Sequence, residues 1–520
     1  MAFGGLVIDI QRVYGVHGQM QAYVDNVALA AAAELDGLTS GGGAINRAFR
    51  AAIGANGAGP LITGSQNFMT NPSLNVLRVT FLSSLDTDPG PLGVTPTNLE
   101  NSNNWVLCYW ENGAWNNNCA TDLAKIRSAN FVEIRAVPRT VNYVVLPIAD
   151  AIGQMFGQGP IVSQATVALR ATAGYLVESC NSIPLMFCNP NEATQTGAPF
   201  VPNVGQMYYA GIETGTLRPA DFATIQAFAG NGANEIRQAF ARVNPNTFCF
   251  SRVKVKPGVQ FGPVSQGLNV RLDVYDGSMS QGETSDPEYR PAPNVLKGYV
   301  AGGNACNLNL NNDESEDSIP FPRDNCFMNA VPGGLGGTGC VNVNSLPKMG
   351  NGNWARAEYW SQNHPTVNPP TATINGVSYI DPINSPIGGW TRYQTYRYEI
   401  DNNLFVDPNR DESAVPACYS GSVAPSTDPD LDRRVVVAAV VNCVADNARL
   451  NGNIGVPAKI YAKLFLTEIV ASSYWDDTAA PRPAGLDWKD PPSNSGIWAE
   501  MIGIVPPNEE VLHVYPVLYR

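Results

Sequence analysis

The stretch MAFGGLVIDIQRVYGVHGQMQAYVDNVALAAAAELDG, residues 1–37, decides how the rest of the chain is read. It contains no proline, starts apolar, and places Val13, Val16, Met20, Tyr23, Val27, Ala30 and Glu34 at three- and four-residue steps. That period is one face of a helix. The run Ala28 to Ala33 adds strong helix formers, and Gly37 with the following TSGGG ends the pattern. Met1 to Ile10 supplies only about half of the ~20 apolar residues a membrane span needs. The basic flank, apolar centre and small-residue cleavage site of a signal peptide are absent. Two readings stay open: an amphipathic helix folded into the first domain, or a stalk helix running out of a bilayer.

The chain has 520 residues, 44% of them hydrophobic and only 15% charged, with 49 glycines and 40 prolines. A low charge fraction with many turn formers suits a β-rich protein of the periplasm or exterior. The net charge of −13 would repel phosphate backbones, which argues against a nucleic-acid partner. The ten cysteines include no C-x-x-C pair, against zinc ribbons and thioredoxin-type chemistry. They fit either disulfides in an oxidising compartment or free buried thiols. Read as disulfides, local spacing suggests Cys108 with Cys119, Cys180 with Cys188, and Cys418 with Cys443. His17, His364 and His513 are the only histidines, leaving little for a histidine-rich metal site or a histidine triad.

After a second helix near Ile45–Ala52, strands are expected at 75–82, 131–137, 141–148 and 161–172. Helices are expected in PADFATIQAFAG and GANEIRQAFARVN, then strands at 251–256 and 268–275. Long irregular loops fill much of 277–350, and GNGNWARAEYWSQNH reads as a short helix anchored by Trp354 and Trp360. Strands follow at 393–400, 433–443, 458–470 and 496–505, with VVVAAVV as a central, fully covered strand. The fold class is α+β and β-rich: a long N-terminal helix, then a disulfide-stabilised, mostly antiparallel body with long loops. The domain reading is 1–37 anchor or stalk helix, 38–180 β-rich and pilin-like, 181–290 mixed, and 291–520 loop-rich then β-rich.

Asp276, Ser278 and Ser280 form D-x-S-x-S in LDVYDGSMS, a spacing that offers hard oxygen ligands to calcium or magnesium after a strand. The same residues are ordinary turn chemistry, and the helix-breaking sequence that follows argues against the metal reading. Asp313, Glu314, Glu316 and Asp317 read as a solvated acidic loop. No nucleophile elbow, phosphate loop, H-E-x-x-H or dinucleotide fingerprint is present in its required context. The expectation is no enzyme and no cofactor.

Several stretches together resemble the TadG-type proteins of the tight-adherence (Tad, or Flp) pilus machinery. They are GGLVIDIQRVYGVHGQMQAYVDNVALAAAAELDG, CNSIPLMFCNPNE, GANEIRQAFARVNP, GPVSQGLNVRLDVYDGS, GNGNWARAEYW, RRVVVAAVVNC and LFLTEIV followed by AEMIGIVPP. The resemblance implies a non-enzymatic, minor-pilin-like envelope subunit, anchored in the cytoplasmic membrane with its body periplasmic or extracellular. Its partners would be other pilus or envelope subunits, or further copies of itself. The basic segment and first half of the membrane helix that precede GGLVID in the family do not precede it here. In that reading Gly4, Gly5, Leu6, Val7, Ile8, Asp9, Val13, Val16, Met20 and Val27 form the membrane and assembly helix. Ala2, Gly4 and Gly5 would allow close packing in lipid, and Asp9 would be wet or satisfied by a partner. The competing functions are an extracellular adhesin, with or without a divalent metal at Asp276, and a secreted hydrolase.

Overall fold

The computed structural model describes residues 2–36, 42–54, 76–83, 106–111, 113–116, 122, 125–126, 129–155, 164–192, 202–211, 217–227, 232–256, 261–279, 282–300, 306–307, 315–327, 339–343, 346–369, 372–374, 377–379, 389–406, 410–412, 414–423, 432–451, 455–458, 460–470, 496–505 and 512–519. Two units emerge: one holds Met1–Val177 and Val514–Arg520, the other Glu178–Thr194 and Phe200–His513. The architecture is α+β, with a long N-terminal helix, antiparallel-rich sheets and disulfides.

The first unit opens with α1 (Ala2–Ala33) and α2 (Ala44–Ile53). Its strands are β1 (Val76–Leu82), β2 (Val106–Glu111), β3 (Ala114–Asn116), β4 (Phe131–Ala136), β5 (Arg139–Asn142), β6 (Gln164–Val167) and β7 (Arg170–Ser179). The sheet runs β7-β4-β1-β2-β3, with the last strand of the chain, Leu512–Tyr519, outside β7. Register explains its buried rows. Ala173, Val132, Phe81 and Cys108 align across four strands, and Ala171, Ile134, Val79 and Trp110 form the next row on that face. On α1, Met20, Val24, Val27, Ala28, Ala31 and Ala32 are buried, a helical stripe of mostly small residues. Arg47 of α2 holds the end of α1, bonding Glu34 at 2.9 Å and contacting the Asp36 carboxylate.

Where a strand was expected over 141–148, pairing stops at Asn142, and α3 (Leu146–Met155) begins. Pro147 suits the first turn of a helix, where its missing N–H costs nothing.

The second unit contains β8 (Leu185–Cys188), β9 (Met207–Gly211), β10 (Phe222–Thr224), β11 (Arg252–Val253), β12 (Val341–Val343), β13 (Leu346–Met349), β14 (Ala372–Ile374), β15 (Val377–Tyr379), β16 (Val435–Val441), β17 (Val456–Pro457), β18 (Ile460–Leu466) and β19 (Gly496–Ile504). Its main sheet has the order β10-β8-β16-β18-β19-β9-β13-β12, antiparallel except for the β8–β16 pair. Alternation sends Ala462, Leu464 and Leu466 to one face with Ile497, Ala499 and Met501. Helices α4 (Ala233–Ala241) and α5 (Phe261–Asn269) cover that face through Ile236, Phe240, Val264 and Leu268. A Cβ on Gly267 would lie 2.5 Å from the Arg237 carbonyl oxygen, so glycine is what lets these helices approach. Phe465 and Ile502 point to the opposite face, covered by α6 (Arg356–Asn363) and α7 (Arg392–Asp401) through Tyr359 and Tyr396. A short α8 (Asn447–Leu450) follows β16. Burial on both faces accounts for the unbroken VVVAAVV of β16, as expected, and Trp354 and Trp360 are buried as expected.

Three expectations are corrected here. The segment PADFATIQAFAG supplies β10 rather than a helix. The stretch 268–275 is the end of α5 and a 3-10 turn (Val270–Leu272) rather than a strand. The stretch 393–400 is α7, whose start carries a reciprocal Thr391–Gln394 capping box.

The expected pairings of Cys180 with Cys188 and of Cys418 with Cys443 are corrected too. Cys180 bonds Cys249, Cys188 bonds Cys443, Cys306 bonds Cys418 and Cys326 bonds Cys340. Strand β8 runs extended into Cys188 and carries it away from Cys180, while β16 runs parallel beside β8 and delivers Cys443. Cys108 is disulfide-bonded; Cys119 lies outside the described residues.

Candidate assembly site

The amino-terminal turns of α1 behave unlike the rest of that helix. Val7, Ile8, Ile10 and Tyr14 are 49%, 53%, 41% and 73% exposed, whereas Met20, Val24 and Val27 are buried. Val13 and Val16 are half-buried. Gly15 and Gly18 face open space, since a Cβ on either would meet nothing within 4 Å. Gly4, Gly5 and Leu6 are helical, with side-chain surroundings outside the description. The helix leaves the sheet with apolar side chains in solvent, an arrangement that costs hydrophobic free energy unless something covers them.

Asp9 sits within this exposed stretch yet is itself buried. Its carboxylate accepts the backbone N–H groups of Val144, Val145 and Leu146 at 2.7, 3.0 and 2.7 Å. These are orphan donors at the start of α3, so a side chain of one helix caps another. Burial pushes the carboxyl up; the three N–H donors and Arg12 outweigh it and hold the group below its ordinary value. Asp9 is thus satisfied within its own chain, without a partner subunit. The cap fixes α3, whose Ile148 and Ile152, with Val144 just before it, are also solvent-exposed. Those three recur every fourth residue, a helical period that was available in the sequence but was overridden by the β-branched run before it.

The other sequence candidates are not brought together. Asp276 precedes a 3-10 turn, Gly277–Met279, instead of following a strand. The Ser278 side chain and Ser280 lie outside the described residues. Among the described residues, no group of three or more His, Cys, Asp or Glu is placed to hold a metal ion. In the acidic loop, Asp313 and Glu314 are undescribed, while Asp317 and Asp411 share a hydrogen bond and Ser315 donates to Asp411 at 2.5 Å.

Sequence reading did not foresee the charges buried in the second unit. Arg392 is fully buried and forks between Glu500, 3.0 Å from Nη1, and Asp324, 2.6 Å from Nη2. Its Nε donates to the Pro322 carbonyl at 2.7 Å. Nearby in sequence, Glu399 accepts from Tyr359 at 2.7 Å and Asn294 at 2.8 Å, and its Oε1 lies 2.9 Å from His364 Nε2. Burial and the Glu399 charge push the Tyr359 phenol far above its ordinary range, which keeps it a donor. Arg434 donates to the carbonyls of Leu466 and Thr467 and lies 4.9 Å from the Phe465 ring centroid. These groups bind Asn294, Pro322, Asp324 and α7 to the sheet, and the partners named are protein atoms.

No family model, curated protein or solved structure matches the chain. Among the described residues, no helix is long and apolar enough to cross a membrane.

Proposed function

We propose that this chain is a non-enzymatic, minor-pilin-like subunit of a Tad/Flp pilus-assembly system or related surface structure. Its body stands in the periplasm or outside the cell, and the amino-terminal turns of α1 are its tether and assembly element. The observation that carries the reading is the division of α1. One half is buried against its own sheet, while Val7, Ile8, Ile10 and Tyr14 present apolar surface to a neighbour or to lipid. The disulfides accord with an oxidising compartment. The low charge fraction accords with an envelope protein.

The test is a Val7→Lys, Ile8→Lys double variant produced in the native cell. The reading predicts loss of envelope association and surface structures, with the secreted or released body folded and its disulfides intact. A variant that fractionates and assembles like the parent would remove the tether role and leave a soluble binding protein as the better account.

A further inference from the structure

Lys348 and Asp221 meet inside the second unit with side-chain exposures of 3% and 0%, Nζ packed directly onto Oδ1. They come from distant parts of the sheet order: Lys348 lies in β13, next to the edge strand β12, and Asp221 immediately precedes the other edge strand, β10. Both are held firmly by their backbones. Asp221 accepts the Cys188 N–H at 2.8 Å through its carbonyl, and its own N–H donates to the Arg218 carbonyl at 3.0 Å. Ala220, beside it, takes a left-handed φ of 64° and donates to the Cys188 carbonyl. On the other side, Met349 pairs with Tyr208, and the Gly350 N–H donates to the Met207 carbonyl at 2.8 Å. Met349 and Phe222, the chain neighbours of the pair, belong to the main apolar cluster.

The unit contains its own comparison. Lys297 Nζ stands 3.6 Å from Glu412, whose carboxylate also accepts the Lys297 and Gly298 N–H groups at 2.8 Å and the Ser318 hydroxyl. That carboxylate is saturated with donors, as a lasting buried ion pair requires. At Asp221, Oδ2 accepts the Arg218 N–H at 2.8 Å, and Oδ1 faces the Lys348 amine.

From this juxtaposition we propose that Lys348 and Asp221 condense into an intramolecular amide, an isopeptide bond that ties β13 to the start of the edge strand β10. The atoms balance without a co-reactant. One proton passes from the ammonium to Oδ1, leaving an amine lone pair beside a carboxylic acid. Nζ attacks Cγ, and the negative charge that develops on Oδ2 is met by the Arg218 N–H. The Cγ–Oδ1 bond then breaks as the C=O bond re-forms at Oδ2; Oδ1 leaves as water, carrying the proton it first received and one more from Nζ, and Nζ keeps its last proton as the amide N–H. The product is one secondary amide and one water. Two groups fixed in contact by rigid strands react at an effective concentration far beyond that of free solution. An apolar enclosure also keeps out the water that would reverse the step.

The experiment is intact-mass measurement of the full chain after complete disulfide reduction, with peptide mapping of a proteolytic digest. The expected result is a mass one water short of the sequence and a branched peptide that contains both Lys348 and Asp221. Lys348→Arg, which keeps the charge but cannot condense, should show the full mass, while Lys297→Arg should keep the deficit. A full mass in the parent, with Lys348 and Asp221 recovered on separate peptides, would overturn the proposal and leave an ion pair. A deficit persisting in Lys348→Arg would overturn it too. The parent measurement stands even if a variant does not fold.

Discussion

Replacing Arg392 by Leu tests whether the second unit depends on its buried charges. The change removes the guanidinium from two carboxylates that are fully buried, Glu500 and Asp324. Breaking one buried pair by deleting a partner costs about 3–5 kcal/mol. Two pairs share this one arginine, which pushes the loss upward. Backbone donors left in place moderate it: Glu500 keeps the Arg392 and Tyr393 N–H groups at 2.9 and 3.0 Å, and Asp324 keeps the Gly352 N–H at 2.7 Å. The working figure is about 4–5 kcal/mol, a large share of the 5–15 kcal/mol that stabilises ordinary domains. Urea unfolding of disulfide-intact protein, followed by tryptophan fluorescence, would measure it; Trp354 lies 5.0 Å from the Arg392 guanidinium carbon. Burial raises the Glu500 carboxyl above its ordinary value against the opposing pull of Arg392. A raised carboxyl favours the folded state most below its unfolded pKa, and that advantage is lost as pH rises through the folded value. Removing Arg392 leaves the raising influence less opposed, so the deficit of the Leu variant should shrink on acidification from neutral pH. A loss below about 1 kcal/mol, or one that grows on acidification, would refute the reasoning.

At Asp9 the sign is reversed. Its depressed carboxyl contributes stability above the ordinary value of 3.8 that is lost as pH falls through the folded value, so Asp9→Asn should flatten the acid limb of the unfolding profile of the first unit. Circular dichroism against pH checks this. Thr391→Ala breaks the capping box, whose bonds are 3.1 and 2.9 Å, and should cost about 1 kcal/mol in the same urea assay. Gly267→Ala should destabilise because its Cβ would sit 2.7 Å from Phe240 Cβ as well as against the Arg237 carbonyl. Gly18→Ala meets nothing and should stabilise α1 by up to about 1 kcal/mol, measured by thermal melting.

Long elements with one clear pattern were legible: α1 as a helix, the aromatic anchors Trp354 and Trp360, and the apolar run of β16; of the stripe expected on α1 only Met20 and Val27 are buried, the rest being half-buried. Short amphipathic segments were not legible. YQTYRYEI alternates polar and apolar residues like a strand, yet Tyr393, Tyr396 and Ile400 share a helical face, and the Thr391–Gln394 cap was readable beside them. The stretch 268–275 failed because Leu268 and Leu272 close off a helix and its 3-10 continuation within an apolar core that local pattern does not show. Disulfide partners were illegible for a topological reason. Cys188 and Cys443 meet only because β8 and β16 are parallel neighbours, 255 residues apart in sequence. The cap at Asp9 had no local signal either, since its donors lie 135–137 residues away. What could be read at that site was its apolar character; its attachment to α3 required the fold.

The central claim concerns what covers the amino-terminal turns of α1. A photo-reactive side chain at Ile8, introduced into the full chain in the native envelope, measures this directly, with Val24 as the buried reference. The account predicts that position 8 captures lipid or a neighbouring subunit while position 24 captures only its own chain. Intrachain products at both positions, or no product at position 8, would contradict it.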